Sequence, residues 1–227
     1  MSPLKIAVLF SGGKDSMYAA YLMSQAGHEI ISLLTVIPDD PDSFMFHTPN
    51  IEMVTAIAQC LEIPLIIERA GSTGEMAPVS ALVQKAAASG AEGVATGAIL
   101  SDFQFTRIDS VCFHGGLKCF SPLWRKNQMT LLSDIVASGI EAIVTKVAAE
   151  GMSERMLGRR IDSDFIETAV DLNRRFGVNP CGEGGEYETL TLDSPMHKKR
   201  LVIKKASIIG PASSPSLRVE EAEAVAK

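Results

Sequence analysis

Six consecutive residues near the amino end, Ser11-Gly12-Gly13-Lys14-Asp15-Ser16, combine the groups that hold a polyphosphate. Gly12 and Gly13 let the backbone turn tightly and bring bare N–H groups against a ligand. Ser11 and Ser16 add hydroxyl donors, and Lys14 adds a mobile positive charge suited to a catalytic role at phosphorus. The turn should open into a helix whose free N–H groups and positive dipole end favour an anion. Asp15 has two uses open to it: capping that helix, or holding a Mg²⁺ ion that bridges the phosphates. This is not a Walker A loop, because Val8 stands where that motif needs its first glycine and Asp15 follows the lysine. Nor is there a G-x-G-x-x-G turn.

A second cluster, Gly182-Glu183-Gly184-Gly185-Glu186-Tyr187-Glu188-Thr189, joins a glycine-rich turn to three carboxylates and a ring. The glycines permit a sharply bent backbone. If the residues from Glu186 to Leu192 form a strand, Glu186 and Glu188 point one way and Tyr187 and Thr189 the other. Three carboxylates so close repel one another unless a positive group lies among them. The other reading is a solvated acidic hairpin. Asp102 and Gln104 follow an apolar run, at the edge of a sheet where such folds bind ligands. Arg107, one helical turn beyond Gln104, is a candidate to neutralise phosphate, while Trp124 and Arg125 are candidates for substrate contacts or for the join between lobes.

These groups need a frame, and hydrophobic patterning supplies one. Ile6–Phe10, Ile30–Ile37, Pro64–Glu68, Gly93–Ile99 and Lys118–Leu123 read as short strands, the first apolar on both faces as a buried parallel strand is. Helical patterns separate them, which is the signature of a doubly wound parallel α/β sheet over residues 1–125. Adenine would lie across the ends of the first two strands, near Leu34 to Val36; Thr35 and Gly97 complete the nucleotide-binding set. From 126 to 227 the pattern changes to a smaller second α/β domain, with helices at Gln128–Ser138 and Ser163–Phe176 and strands at Ala142–Val147, at the Glu186 run and at Leu201–Ile209. Residues from Pro215 onward read as a frayed tail.

The chain has 227 residues, 46% of them hydrophobic, with a net charge of −6 and a pI near 5.3. That acidity disfavours a nucleic-acid backbone as the default partner. No run of eighteen apolar residues predicts a membrane span, and no basic leader precedes Ile6. Cys60, Cys112, Cys119 and Cys181 form no C-x-x-C pair, so structural thiols in a reducing cytoplasm are expected. Neither a heptad nor an exposed apolar stripe decides whether the chain forms a homo-oligomer.

The loop Ser11–Ser16 matches that of the N-type ATP pyrophosphatases, which split ATP between its α and β phosphates. Four further stretches narrow the resemblance: Asp42-Ser43-Phe44-Met45-Phe46-His47; Thr96-Gly97-Ala98-Ile99-Leu100-Ser101-Asp102-Phe103-Gln104; Pro122-Leu123-Trp124-Arg125; and Glu183-Gly184-Gly185-Glu186-Tyr187-Glu188-Thr189. In that order they resemble the motifs of the diphthine–ammonia ligase family, from residue 5 to about 210, in its short archaeal form. The resemblance implies an adenine-nucleotide hydrolase type of parallel sheet with a smaller α/β domain, ATP with Mg²⁺, and elongation factor 2 carrying diphthine as the protein partner. Diphthine's carboxylate would be adenylated and ammonia, supplied as free ammonium, would displace AMP to give diphthamide. Diphthine carries a quaternary ammonium, so Glu183, Glu186 and Tyr187 are expected to cradle a cation. Glu183 or Glu186 would be the base that deprotonates ammonium. Asp102, Gln104, Arg125 and the whole run from Glu183 to Thr189 form the expected substrate-binding set. Two other readings share the loop: a tRNA-modifying enzyme, for which Arg159-Arg160, Arg174-Arg175 and Lys198-Lys199-Arg200 could supply a basic patch, and an ATP-holding sensor without turnover.

Overall fold

Along Lys5–Leu9 (β1), Ile6 and Val8 face one apolar layer and Ala7 faces another, and all three are fully buried. A strand buried on both faces belongs at the centre of a parallel sheet, and β1 lies there. The computed structural model describes residues 2–38, 50–70 and 76–227. Beside β1 lie Glu29–Pro38 (β2), Leu65–Ala70 (β3), Gly93–Ala95 (β4) and Lys118–Phe120 (β5), all paired in parallel in the order β3-β2-β1-β4-β5. The stretch Asp42–His47 lies outside the described residues.

Helices cover both faces. Lys14–Gln25 (α1) and Val54–Leu61 (α2) bury their apolar sides with Ile6 and Val8, while Met76–Ala88 (α3) and Asp102–His114 (α4) pack with Ala7, Leu34 and Val94. The sheet is therefore doubly wound. Its order reverses between β1 and β4, and ligands of such sheets bind at that switch point, outside the carboxyl ends of the strands. The Ser11–Ser16 turn leaves the carboxyl end of β1, and Gly97 that of β4.

The second lobe carries Gln128–Ala137 (α5), Glu141–Val147 (β6), Ser163–Phe176 (α6), Tyr187–Asp193 (β7), Lys199–Ile209 (β8) and Ser216–Ala226 (β9). Its sheet is antiparallel, in the order β7-β6-β9-β8. Helix α6 is capped at both ends: Asp162 accepts the Phe165 N–H at 3.0 Å, and Gly177 closes the helix at φ 71°. One apolar core runs without a break from β1, α1 and α2 into α5, α6, β6 and β7.

The frayed tail expected after Pro215 is corrected: those residues form β9, eleven residues long and paired with β8 along its length. Arg218, Glu220, Glu221 and Glu223 hid the strand by diluting its hydrophobicity. Across the ladder Lys204 pairs with Glu223 and Lys205 with Glu220, so the charges are cross-strand partners. Asn50, in the left-handed region at φ 58°, ties the hairpin to α2: it donates to the Leu217 carbonyl at 2.8 Å and accepts the Val219 N–H at 2.7 Å.

Candidate active site

The phosphate loop is held in shape by its own hydroxyls. Gly12 turns it at φ 81°, the Ser11 N–H donates to Ser16 Oγ at 3.3 Å, and Ser16 Oγ donates to the Gly13 carbonyl at 3.1 Å. Helix α1 starts at Lys14, directly after the glycines, with Gly13 at its cap. Asp15 thus lies inside the first turn and does not cap. Gly97 backs the loop: a Cβ there would sit 2.8 Å from the Ser16 nitrogen and 2.9 Å from the Asp15 carbonyl carbon. Only glycine lets β4 approach this closely.

The expected mobile lysine is not mobile. Lys14 is 2% exposed; its ammonium donates to the Cys181 carbonyl at 2.6 Å and to Asp15 Oδ2 at 2.9 Å, and lies 5.0 Å from the centre of the Tyr187 ring. Burial opposes its charge, but Asp15, Tyr187 and Cys181 together hold its pKa above the ordinary lysine range. Tyr187 in turn donates its hydroxyl to the Pro180 carbonyl at 2.6 Å and meets Phe165 edge-on.

Strand β7 is bonded onto the loop. The Thr191 N–H donates to the Gly12 carbonyl at 2.8 Å, and Thr189 Oγ1 accepts the Lys14 N–H at 3.1 Å. The alternation expected along this run holds: Tyr187 and Thr189 face the phosphate loop, while Glu188 faces away, toward Lys146 at 3.7 Å.

The acidic residues divide by their partners. Glu186 accepts the Asn179 N–H on one oxygen at 3.0 Å and the Gly184 N–H on the other at 2.8 Å. Gly185, at φ 83°, turns the chain between them, and a Cβ on Gly184 would meet the Glu186 carboxylate at 3.0 Å. Glu186 therefore braces its own loop. Glu183 instead reaches across to the first lobe, where its Oε1 accepts the Ile99 and Leu100 N–H groups at 3.2 and 2.9 Å. Its Oε2 has no hydrogen-bond partner among the described residues, and burial raises its pKa against the pull of the Leu100 amide. The expected cradle of Glu183, Glu186 and Tyr187 for a substrate cation is thus corrected: the cation on the Tyr187 ring is Lys14, and Glu186 is engaged by amides.

Four other expected residues lie apart from this cluster. Thr35 is buried and donates to the Phe10 carbonyl at 2.7 Å, so its hydroxyl joins β2 to the end of β1. Asp102 and Arg125 form an exposed ion pair at 3.2 Å on the rim, and the Gln104 N–H caps onto Ser101 Oγ. Sequence reasoning passed over Cys181, Thr191, Ile99 and Leu100 because each contributes a backbone atom. Only their closeness to Gly97 and the glutamate run could have pointed to them. Cys112 and Cys119 come together in the apolar layer of the opposite face, where α4 meets β5.

A glycine turn at the switch point, backed by a second strand and bolted to a second lobe, places the molecule among the nucleotide-using α/β enzymes with a pyrophosphatase-type loop. Comparison with known proteins narrows this. The diphthamide synthase N-terminal domain matches residues 4–119 and the diphthamide synthase C-terminal domain residues 127–224, so the chain belongs to the diphthamide synthase family. Similar curated proteins include diphthine–ammonia ligases of Schizosaccharomyces pombe, 37% identical over 91% of this chain, and of Bos taurus and Homo sapiens, 34% and 33% identical over the same share. The chain spans 37% of the length of the fission yeast protein and 85% of the bovine and human ones. Among solved structures, a U34-tRNA thiolase from Methanococcus maripaludis aligns at TM-score 0.40 and 13% identity, covering 82% of this chain and 72% of the thiolase.

Proposed function

We propose that this chain amidates diphthine on elongation factor 2, splitting ATP to AMP and pyrophosphate and yielding diphthamide. The observation that supports this reading best is the bonding of residues 181–191 onto the phosphate loop, which sets a half-buried carboxylate, Glu183, beside a nucleotide cradle. The name carried by its fission yeast, bovine and human relatives supplies the substrate and the co-substrate, ammonia. We place the reaction in the cytoplasm, where a translation factor works; among the described residues no helix is long and apolar enough to cross a membrane.

Ser11, Gly12, Gly13 and Ser16 would hold the pyrophosphate half of ATP through amides and hydroxyls, with adenine across the ends of β1 and β2 and Gly97 bordering it. The Lys14 ammonium is a fixed charge beneath the loop, pre-oriented for charge developing at the α-phosphate. Asp15 Oδ1 is buried and has no hydrogen-bond partner among the described residues, as a ligand to a hard cation would be. Bound there, Mg²⁺ would supply neutralising charge at the phosphates.

The diphthine carboxylate attacks the α-phosphorus and pyrophosphate leaves. Ammonia then attacks the acyl carbon of the mixed anhydride, and AMP leaves as the amide forms. Ammonium must first lose a proton, and Glu183 is the better base of the two expected candidates. Its Oε2 is unengaged and its pKa is raised, whereas both oxygens of Glu186 hold amides. Sulfur transfer to tRNA fits less well, because Cys181 is buried and its thiol is pushed up to about 12 by burial.

AMP release from ATP, Mg²⁺ and ammonium tests this. AMP should appear only with elongation factor 2 bearing diphthine, and Lys14→Ala should lower the rate roughly a hundredfold or more. Absence of AMP from the folded enzyme with that factor, or AMP elicited by tRNA instead, would overturn the assignment.

A further inference from the structure

The side chains first expected to receive the substrate's quaternary ammonium are occupied by Lys14 and by loop amides, so the cation needs another place. A quaternary ammonium has no N–H to donate and is recognised by aromatic faces and a nearby carboxylate. One surface of the described molecule joins both beside the site. Phe105 of α4 and Trp124 stack with ring centroids 4.4 Å apart and planes 20° apart. Arg125 lies over the Trp124 ring at 5.5 Å and pairs with Asp102 at 3.2 Å, both of these side chains being about 70% exposed (68% and 72%). Leu100 and Phe103, also exposed, complete an apolar rim.

This surface is coupled to the centre by short links. Arg125 adopts φ 55°, unfavourable for a side chain of its size, and its N–H donates to the Ile99 carbonyl at 2.8 Å. The N–H of the same Ile99 donates to Glu183. One residue therefore separates the Trp124–Arg125 turn from the proposed base. Gly97, two residues earlier, touches the phosphate loop.

We propose that Trp124 and Asp102 bind the trimethylammonium group of the substrate side chain, an assignment that rests on the amidation reading above. Arg125 marks the place: it is a delocalised cation on the ring and against the carboxylate that the ammonium takes over. The substrate brings its own carboxylate, and Arg125 turns to it, so one ion pair becomes two crossed pairs with no charge left over. Before adenylation this steers the carboxylate toward the loop; the stacked Phe105 stiffens the Trp124 ring.

AMP release measured against concentration of the diphthine-bearing factor, and separately against ATP, tests the assignment. Trp124→Ala should raise KM for the factor about tenfold and Asp102→Asn severalfold, while KM for ATP moves less than about twofold. Trp124→Phe should restore most of the loss, and Phe113→Ser, at the far end of α4, should change neither constant. Wild-type preference for the trimethylated side chain over one bearing a primary amine should collapse in Trp124→Ala, an effect that mere loss of packing would not produce. Unchanged KM for the factor in both variants, or a parallel rise for ATP, would overturn the proposal while leaving amidation standing. Wild-type enzyme that releases no AMP with the factor would remove the amidation reading and this assignment together.

Discussion

Lys14 is the most constrained residue of the site. It stands directly after the glycine turn, yet three groups from beyond residue 14 hold its ammonium: Asp15 next to it, the Cys181 carbonyl and the Tyr187 ring. A lysine so placed is a preorganised charge rather than a searching arm. Gly97 is constrained in a different way, by lack of room. Gly97→Ala would drive a methyl into the backbone of Asp15 and Ser16, and should raise KM for ATP about tenfold or more at little cost to secondary structure, as AMP release and circular dichroism would read. At this scale the sequence was legible where side-chain type shapes the loop, as for Ser11, Lys14 and Ser16. It was opaque where a carbonyl or amide does, as at Cys181, Ile99 and Leu100, because any residue offers those atoms. Glu183 and Glu186 look equivalent in the sequence, and only their partners separate a brace from an unengaged carboxylate.

Strands and helices fell on both sides of legibility for definite reasons. The run at β7 was readable because period-two alternation survives in Tyr187, Glu188 and Thr189, and helix α6 because Asp162 and Gly177 bracket an amphipathic span. Strand β9 was not, because its stability is cross-strand: lysines of β8 neutralise glutamates that alone read as a solvated tail. Asn50 is the joint between that hairpin and α2. Asn50→Ala would lose two hydrogen bonds, leave the Val219 amide buried without a partner, and put a Cβ residue of low left-handed preference at φ 58°. The loss should amount to about 2–4 kcal/mol in urea unfolding, with an unchanged denaturant slope.

Across the whole molecule, the two lobes share one apolar core, so stability at one end is felt at the other. His197, in the turn between β7 and β8, is 4% exposed with Nδ1 2.7 Å from Ser194 Oγ, and burial lowers its pKa to about 4. The neutral ring is the folded form. Unfolding raises its pKa to the ordinary value near 6.5, so the unfolded chain binds a proton that the folded one refuses. Its contribution is complete above that value and is lost as pH falls toward 4. Between pH 7 and pH 5 the unfolding free energy should drop by about 2 kcal/mol on this account. His197→Gln should flatten that part of the profile in denaturant titrations at the two pH values.

The clamp on the phosphate loop also bears on the order of events as the polypeptide is made. Lys14 bonds to partners 167 and 175 positions further along, so the loop leaves the ribosome long before its lysine can be seated. Closing so wide a contour is entropically slow and belongs to the last stage of folding. A polypeptide that has not yet reached residue 181 therefore carries a phosphate loop whose charge nothing aims, and the strand that completes the site is among the later parts to be synthesised.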